Sequence, residues 1–222
     1  GCPATVIDGV MQLLCSGYEL TTTLDFDTNA DGVMDANDAY WNGGEGWMPI
    51  GSSSVPFTSI FDGNGHQIRN LFINRSDTRF VGLFGIIAGE SAQLRNIGLT
   101  GELMQVVGNS FVGGLAGYAR SSARIEQSYV TGVVTGYRYV GGVAGYLYSS
   151  VINNSYVTGA VTGYNSVGGL VGYSDSSVIT NSYWAVDTTG INSYWVSVPI
   201  LAELQCPVGA DNTSCVADQT LY

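Results

Sequence analysis

The segment DTNADGVMDAND, residues 27–38, carries the sharpest chemical pattern in the chain. Oxygen-bearing side chains fall at its positions 1, 3, 5, 9 and 12: Asp27, Asn29, Asp31, Asp35 and Asp38. Gly32 at position 6 permits a sharp turn, and Val33 at position 7 offers a backbone carbonyl. This is the ligand spacing of a twelve-residue Ca2+ loop, with Asp where Glu is usual at the last position. Four carboxylates in so short a segment repel one another unless a cation sits among them. An Asx-rich solvated turn is the simpler alternative. With no second copy and little helix before it, the loop reads as a structural clamp, not a sensor.

Other chemistry is thin. His66 is the single histidine, which excludes an HExxH zinc site and any multi-histidine centre. A Ser-His-Asp triad would have to use it, and no GxSxG elbow is present. The chain has seven Arg and no Lys, so it holds no Walker-A phosphate loop. The acids outside the loop, among them Glu45, Asp62, Asp77, Glu90, Glu102, Glu126, Asp175 and Asp187, show no obvious pairing for general acid–base work. A net charge of −11 repels phosphate backbones and anionic lipid, which argues against nucleic-acid partners. No apolar run approaches the ~20 residues of a membrane-spanning helix, so membrane insertion is not expected. Cys2, Cys15, Cys206 and Cys215 lie near the two ends. Four cysteines allow three connectivities, of which the local pairs Cys2–Cys15 and Cys206–Cys215 are the economical one. Bridged, they place the chain in an oxidising compartment.

Internal repetition sets the frame that must position these groups. IEQSYVTGVVTGYRYVGGVAGY (125–146) and INNSYVTGAVTGYNSVGGLVGY (152–173) nearly coincide, and ITNSYWAVDTTG begins again at 179. The step from Ile125 to Ile152 is repeated from Ile152 to Ile179. LRNIGLTG (94–101) and IRNLFINR (68–75) read as degenerate copies. Ile68, Leu94, Ile125, Ile152 and Ile179 then form one aliphatic column. Asn70, Asn96, Gln127, Asn154 and Asn181 form an amide column, and Ile73, Leu99, Val130, Val157 and Trp184 a second apolar one. The apolar columns have opposite parity about the amide, so a corner there turns both inward. A glycine motif repeats as VGLFG, VGGLAGY, VGGVAGY and VGGLVGY. Stacked β-coils account for all of this: like residues sit at the ~4.8 Å strand spacing, and stacked amides can bond up the ladder. Gly, Val, Thr and Tyr at this density disfavour helix.

VGGLVGY with the INNSY- and VTGAVTG-type segments resembles the GLUG-motif repeat of bacterial surface and secreted proteins. The resemblance covers roughly residues 17–215 and is most specific over 94–184. It implies a β-solenoid in an extracellular or bacterial cell-surface setting, without fixing one activity. The acidic loop resembles those of dockerin modules.

The expected fold is one all-β solenoid (β-helix) of about five to six coils with ~27-residue repeats. Residues 1–24 form an N-terminal cap, 25–50 the calcium loop and opening coil, 51–197 the repeat coils and 198–222 a C-terminal cap. TVIDGVMQLL (5–14) and PILAELQ (199–205) read as short helical or irregular covers for exposed strand edges. Tyr129, Tyr156 and Tyr183 form a stripe, and Tyr137 with Tyr164 another. Aromatic stripes flanked by Ser, Thr and Asn suit sugar faces or a protein partner, or simply cover coil corners. The expected function is a non-enzymatic structural and adhesive module that meets a glycan or a host or cell-surface protein. A glycan-binding domain, a self-associating filament subunit and a carbohydrate-active enzyme are the alternatives.

Overall fold

A computed structural model describes residues 16–185 together with the backbone of Ala4–Ile7 and Val10–Leu13. The four cysteines and the expected C-terminal cap lie outside the described residues. Within them the chain is a parallel β-solenoid whose coils have five sides. The second coil shows the plan. Its sides are Gln93–Arg95, Gly98–Thr100, Gln105–Val107, Ser110–Gly113 and Ala116–Arg120. Each side pairs in parallel with the same side above and below. The strands are short because a polar or glycine corner interrupts each.

Four turns are complete among the described residues, against the expected five to six; an opening turn at 17–57 is broken, and a further turn begins at 178–184, where the described residues end. The opening turn is broken because 27–45 leaves the coil path. Beyond it, isolated bridges alone join Gly46 to Ile73, Ile50 to Phe84 and Phe57 to Ile87. The expected helix over 5–14 is instead an antiparallel hairpin, Ala4–Ile7 against Val10–Leu13. The only helical turn among the described residues is a 3-10 turn at Asn42–Gly44. No helix there is long and apolar enough to cross a membrane.

Leu94, Ile125, Ile152 and Ile179 stack as expected, but Phe61, itself preceded by Tyr18, stands before Leu94 in that column. Ile68 belongs to the next side, above Leu99, and Ile73 to the one after, above Val106. The misplacement arises because two corners use the same local chemistry. Asn96, Gln127, Asn154 and Asn181 turn one corner in the left-handed region, with φ of 54, 49, 49 and 48°. Asn70, with φ 55°, turns a different one beside Gly101.

Serines, not the stacked amides, tie the corner together. The left-handed residue swings the following N–H out of the regular ladder. Ser155 Oγ accepts the Ser128 N–H at 3.2 Å, and Ser182 Oγ accepts the Ser155 N–H at 3.1 Å. Each hydroxyl in turn donates to the carbonyl two residues earlier: Ser128 to Glu126, Ser155 to Asn153 and Ser182 to Thr180. These serines are buried, and their ladder pairs the interior donors that the corner displaces.

The glycine motif is a site of backbone-to-backbone approach. A Cβ on Gly145 would stand 2.7 Å from the Tyr139 carbonyl oxygen, and one on Gly172 2.6 Å from the Tyr139 carbonyl carbon. The residues met, Phe80, Phe111 and Tyr139, themselves hold φ of 61, 59 and 55°, a conformation that costs bulky side chains energy. Ring stacking offsets it: Phe80 on Phe111 at 4.8 Å, Phe111 on Tyr139 at 4.9 Å, interleaved with Tyr118, Tyr146 and Tyr173.

The core is mostly aliphatic, and its opening end is plugged by the irregular first turn. Phe26 is fully buried and meets Tyr40 and Trp47, with Met34 packed alongside. Trp47 donates its indole N–H to the Leu83 carbonyl, and Arg75 ties Trp47 O and the Glu45 carboxylate. On the outside of the first side, Asp62, Arg95 and Glu126 stack in register. Burial pushes the Asp62 carboxyl up, but hydrogen bonds from Asn96 Nδ2, the Asn64 N–H and Arg95 Nε outweigh it and hold the group below the usual carboxylate range.

Ser155→Ala leaves the buried Ser128 N–H without its acceptor and should cost about 1–3 kcal/mol by urea denaturation; an unchanged midpoint would remove the serine ladder from the account. Because its folded pKa is depressed, Asp62 adds stability that is present above about pH 4 and is lost as pH falls through the lowered folded value. The acid limb of a urea-midpoint titration should therefore be shallower in Asp62→Asn than in the wild type.

Candidate functional site

The acidic loop sits over the Phe26–Tyr40–Trp47 plug, at the opening end of the solenoid. Its carboxylates gather backbone N–H groups. Asp27 accepts from Asp31 and Gly32, and Asp38 from Thr28 and Asp35. Asp31 accepts from Val33 and from the Asn29 amide, and Asp35 from Asn37. Gly32 takes φ 80°, the turn expected of the sixth position. Asp38 is buried. The Asp35 N–H holds its carboxyl below the ordinary range, against the opposing pull of burial and with help from Thr28. The loop thus brings Asp27, Asn29, Asp31, Asp35 and Asp38 into one folded turn. No three His, Cys, Asp or Glu side chains among the described residues are gathered closely enough to hold a metal ion as they stand.

The tyrosine stripes lie on separate faces. On the second side, the outward positions read Gln67, Gly98, Tyr129, Tyr156 and Tyr183 in register. Tyr129 and Tyr156 stack with ring centroids 5.0 Å apart and 4° between planes. Tyr137 and Tyr164 stack at 5.3 Å and 5° on a corner further round the coil, 55% and 78% exposed. The first stripe is partly covered: burial, then the neighbouring Tyr129, pushes the Tyr156 hydroxyl up to about 12.

Beside the first stripe runs a cleft of about 420 Å3, lined by His66, Gln67, Asn96, Gln127, Tyr129 and Tyr156 with glycines at 65 and 98. Gly98 makes room for it. A Cβ there would stand 2.8 Å from Tyr129 Cε1, so the missing side chain lets the Tyr129 ring lean across the gap. The ring ends at Gln67, whose Nε2 donates to the Tyr129 hydroxyl at 2.9 Å, while Thr100 Oγ1 donates to Gln67 Oε1. Sequence reasoning found the tyrosines but not Gln67, Asn96, Gln127 or His66 as their companions. The signal was present for Gly98, one residue before the column member Leu99 as Tyr129 is before Val130. For Gln67 it was hidden by the misplaced Ile68.

Asp62 and Glu126 are two coils apart with Arg95 between them, 2.7 Å from Asp62, and Arg124 3.3 Å from Glu126. Their carboxylates are held as charge partners in the stack.

The GLUG motif matches residues 136–162 and 163–187. A protein named as a putative Gly-rich membrane protein of Evansella cellulosilytica is 39% identical over 115 residues, which is 51% of this chain and 12% of that protein. Halomucin of Haloquadratum walsbyi is 38% identical over 120 residues, 54% of this chain and 1% of that protein. The chain therefore spans only a small part of the length of these relatives. No solved structure matches. The matched units begin on the third complete coil, run through the fourth and reach the turn that begins at 178, where the repetition is most regular; over these residues the chain carries two GLUG motifs.

Proposed function

We propose that the chain is a structural and adhesive module of an exported cell-surface protein and does no chemistry of its own. The observation that carries this reading is the in-register repetition itself. Aliphatic columns fill the interior, and the outward acids are tied down, Asp62 by Arg95 of the next coil and Glu126 by Arg124 on its own strand and Gln93 of the coil before. The relatives' names, a Gly-rich membrane protein and Halomucin, fit a place at the cell surface. Bridges Cys2–Cys15 and Cys206–Cys215 belong to the same reading, as does an oxidising setting. An antibody raised against the chain should label intact, unpermeabilised cells of the native host; signal only after lysis would refute export to the surface.

Ca2+ in the 27–38 loop is part of the proposal, held by Asp27, Asn29, Asp31, the Val33 carbonyl, Asp35 and Asp38. The ligand spacing, the left-handed Gly32 and the folding of both terminal carboxylates toward one turn support it. The cation would clamp the loop onto the plug that closes the core. Ca2+ at 100 times its Kd would add about 2.7 kcal/mol of stability. Excess chelator should lower the melting temperature, with hydrogen-exchange protection lost first over residues 18–50. An identical melting curve with and without chelator removes Ca2+ from the proposal.

A further inference from the structure

We propose that the cleft beside the Tyr129–Tyr156 stack binds a neutral saccharide ring. This goes beyond the structural reading, since a solenoid serves as a scaffold whether or not the cleft is filled.

The lining has the chemistry of a polyhydroxyl site. His66, Gln67, Asn96, Gln127, Tyr129 and Tyr156 bring carboxamides, phenols and an imidazole, and no Asp, Glu, Arg or Lys lines the cleft. Charged ligands therefore find no counter-ion there, whereas sugar hydroxyls need closely spaced donors and acceptors. The groups are oriented before any ligand arrives. Gln67 is fixed at both ends of its amide, donating to the Tyr129 hydroxyl and accepting from Thr100. Because Tyr129 oxygen is the acceptor in that bond, its own O–H proton is left to donate elsewhere. Asn96 is held through Nδ2 by Asp62 Oδ1 at 2.9 Å, which leaves its Oδ1 as an acceptor on the cleft. Asp62 is in turn fixed by Arg95 at 2.7 Å. The Gln127 carboxamide makes no hydrogen bond to any described residue and offers both a donor and an acceptor. Tyr129 is held flat by its stack on Tyr156, so the rings add a rigid apolar border for sugar C–H groups. A cleft of about 420 Å3 lies in the range of small-ligand sites. Preorganised groups lose little entropy on binding, which is what a small ligand with few contacts requires.

The exposed Tyr137–Tyr164 pair is the competing surface. It has an open aromatic face, but the amides beside it, Asn109 and Asn165, are held by the serine next to each in sequence, not across coils as Gln67 and Asn96 are.

The test is an NMR titration of the full, isotope-labelled chain with the methyl glycosides of glucose, galactose, mannose and N-acetylglucosamine. Glucuronate and glucosamine serve as charged controls. At least one neutral glycoside should give saturable shifts at the Asn96, Gly98 and Gln127 amides, with weaker responses to both charged sugars. Tyr129→Phe removes only the hydroxyl and keeps the ring stack, and Gln127→Ala removes only the free amide. Each should raise Kd about tenfold, while Tyr164→Ala leaves it unchanged. Melting curves of the variants separate lost binding from lost fold, and if Gln127→Ala unfolds, Tyr129→Phe still decides. No saturable shift with any neutral sugar at about 50 mM overturns the proposal. Shifts that map to Tyr137 and Tyr164, or that survive both cleft variants, overturn it equally. None of these results bears on surface labelling or on chelator melting, so the structural reading stands or falls separately.

Discussion

Everything in this molecule depends on one constraint: each coil must lie on its neighbour at hydrogen-bonding distance on all five sides at once. A parallel ladder meets this along the strands, where backbone groups find partners one coil away. Corners are the difficulty, because a chain that turns also rotates its peptide groups out of the ladder. The protein meets the difficulty with residues that tolerate positive φ and with hydroxyls that capture the displaced N–H groups, as Ser155 does for Ser128. Where backbones come closer still, at Gly145 and Gly172, only hydrogen fits in place of a side chain.

These solutions explain why the surface looks as it does. Left-handed Phe80, Phe111 and Tyr139 cost energy alone, yet stacked and interleaved with Tyr118, Tyr146 and Tyr173 they form an outer aromatic seam that holds the glycine corner shut. Arg79 and Arg138 lie over the same rings. Charge follows the same logic, for Arg95 separates Asp62 from Glu126 where two stacked carboxylates would repel. An open coil end would expose strand edges and core, and the irregular turn through Phe26, Tyr40 and Trp47 closes one end. The acidic loop rides on that closure, so anything that tightens the loop also tightens the end of the core.

The cleft arises from an imperfection in the repetition. The outward column of the second side would be tyrosine throughout if every coil matched, but Gly98 and Gln67 stand at its head. A missing side chain beneath a stacked ring creates concavity, and the two corner amides above it, Asn96 and Gln127, supply polarity. Regular coils make the scaffold and the departure from regularity makes the cleft.

The sequence alone determined the solenoid, because few folds besides stacked coils satisfy a repeat that aligns aliphatic, amide and glycine columns at once. It also determined the inward set from Leu94 to Ile179 and the spacing of the acidic loop, since both are local patterns. The degenerate first coil was beyond its reach. Asn70 and Asn96 follow the same aliphatic-Arg pair, yet they turn different corners, and only pairing with the next coil tells them apart. The hairpin at 4–13 was likewise unreadable as such, because TVIDGVMQLL satisfies either periodicity at that length. Tertiary structure alone decided which hydroxyl caps which N–H, and that the Tyr129 ring leans over Gly98. Both depend on residues about 30 positions apart meeting at one strand spacing, a relation that the order of residues leaves open until the coils are laid one on another.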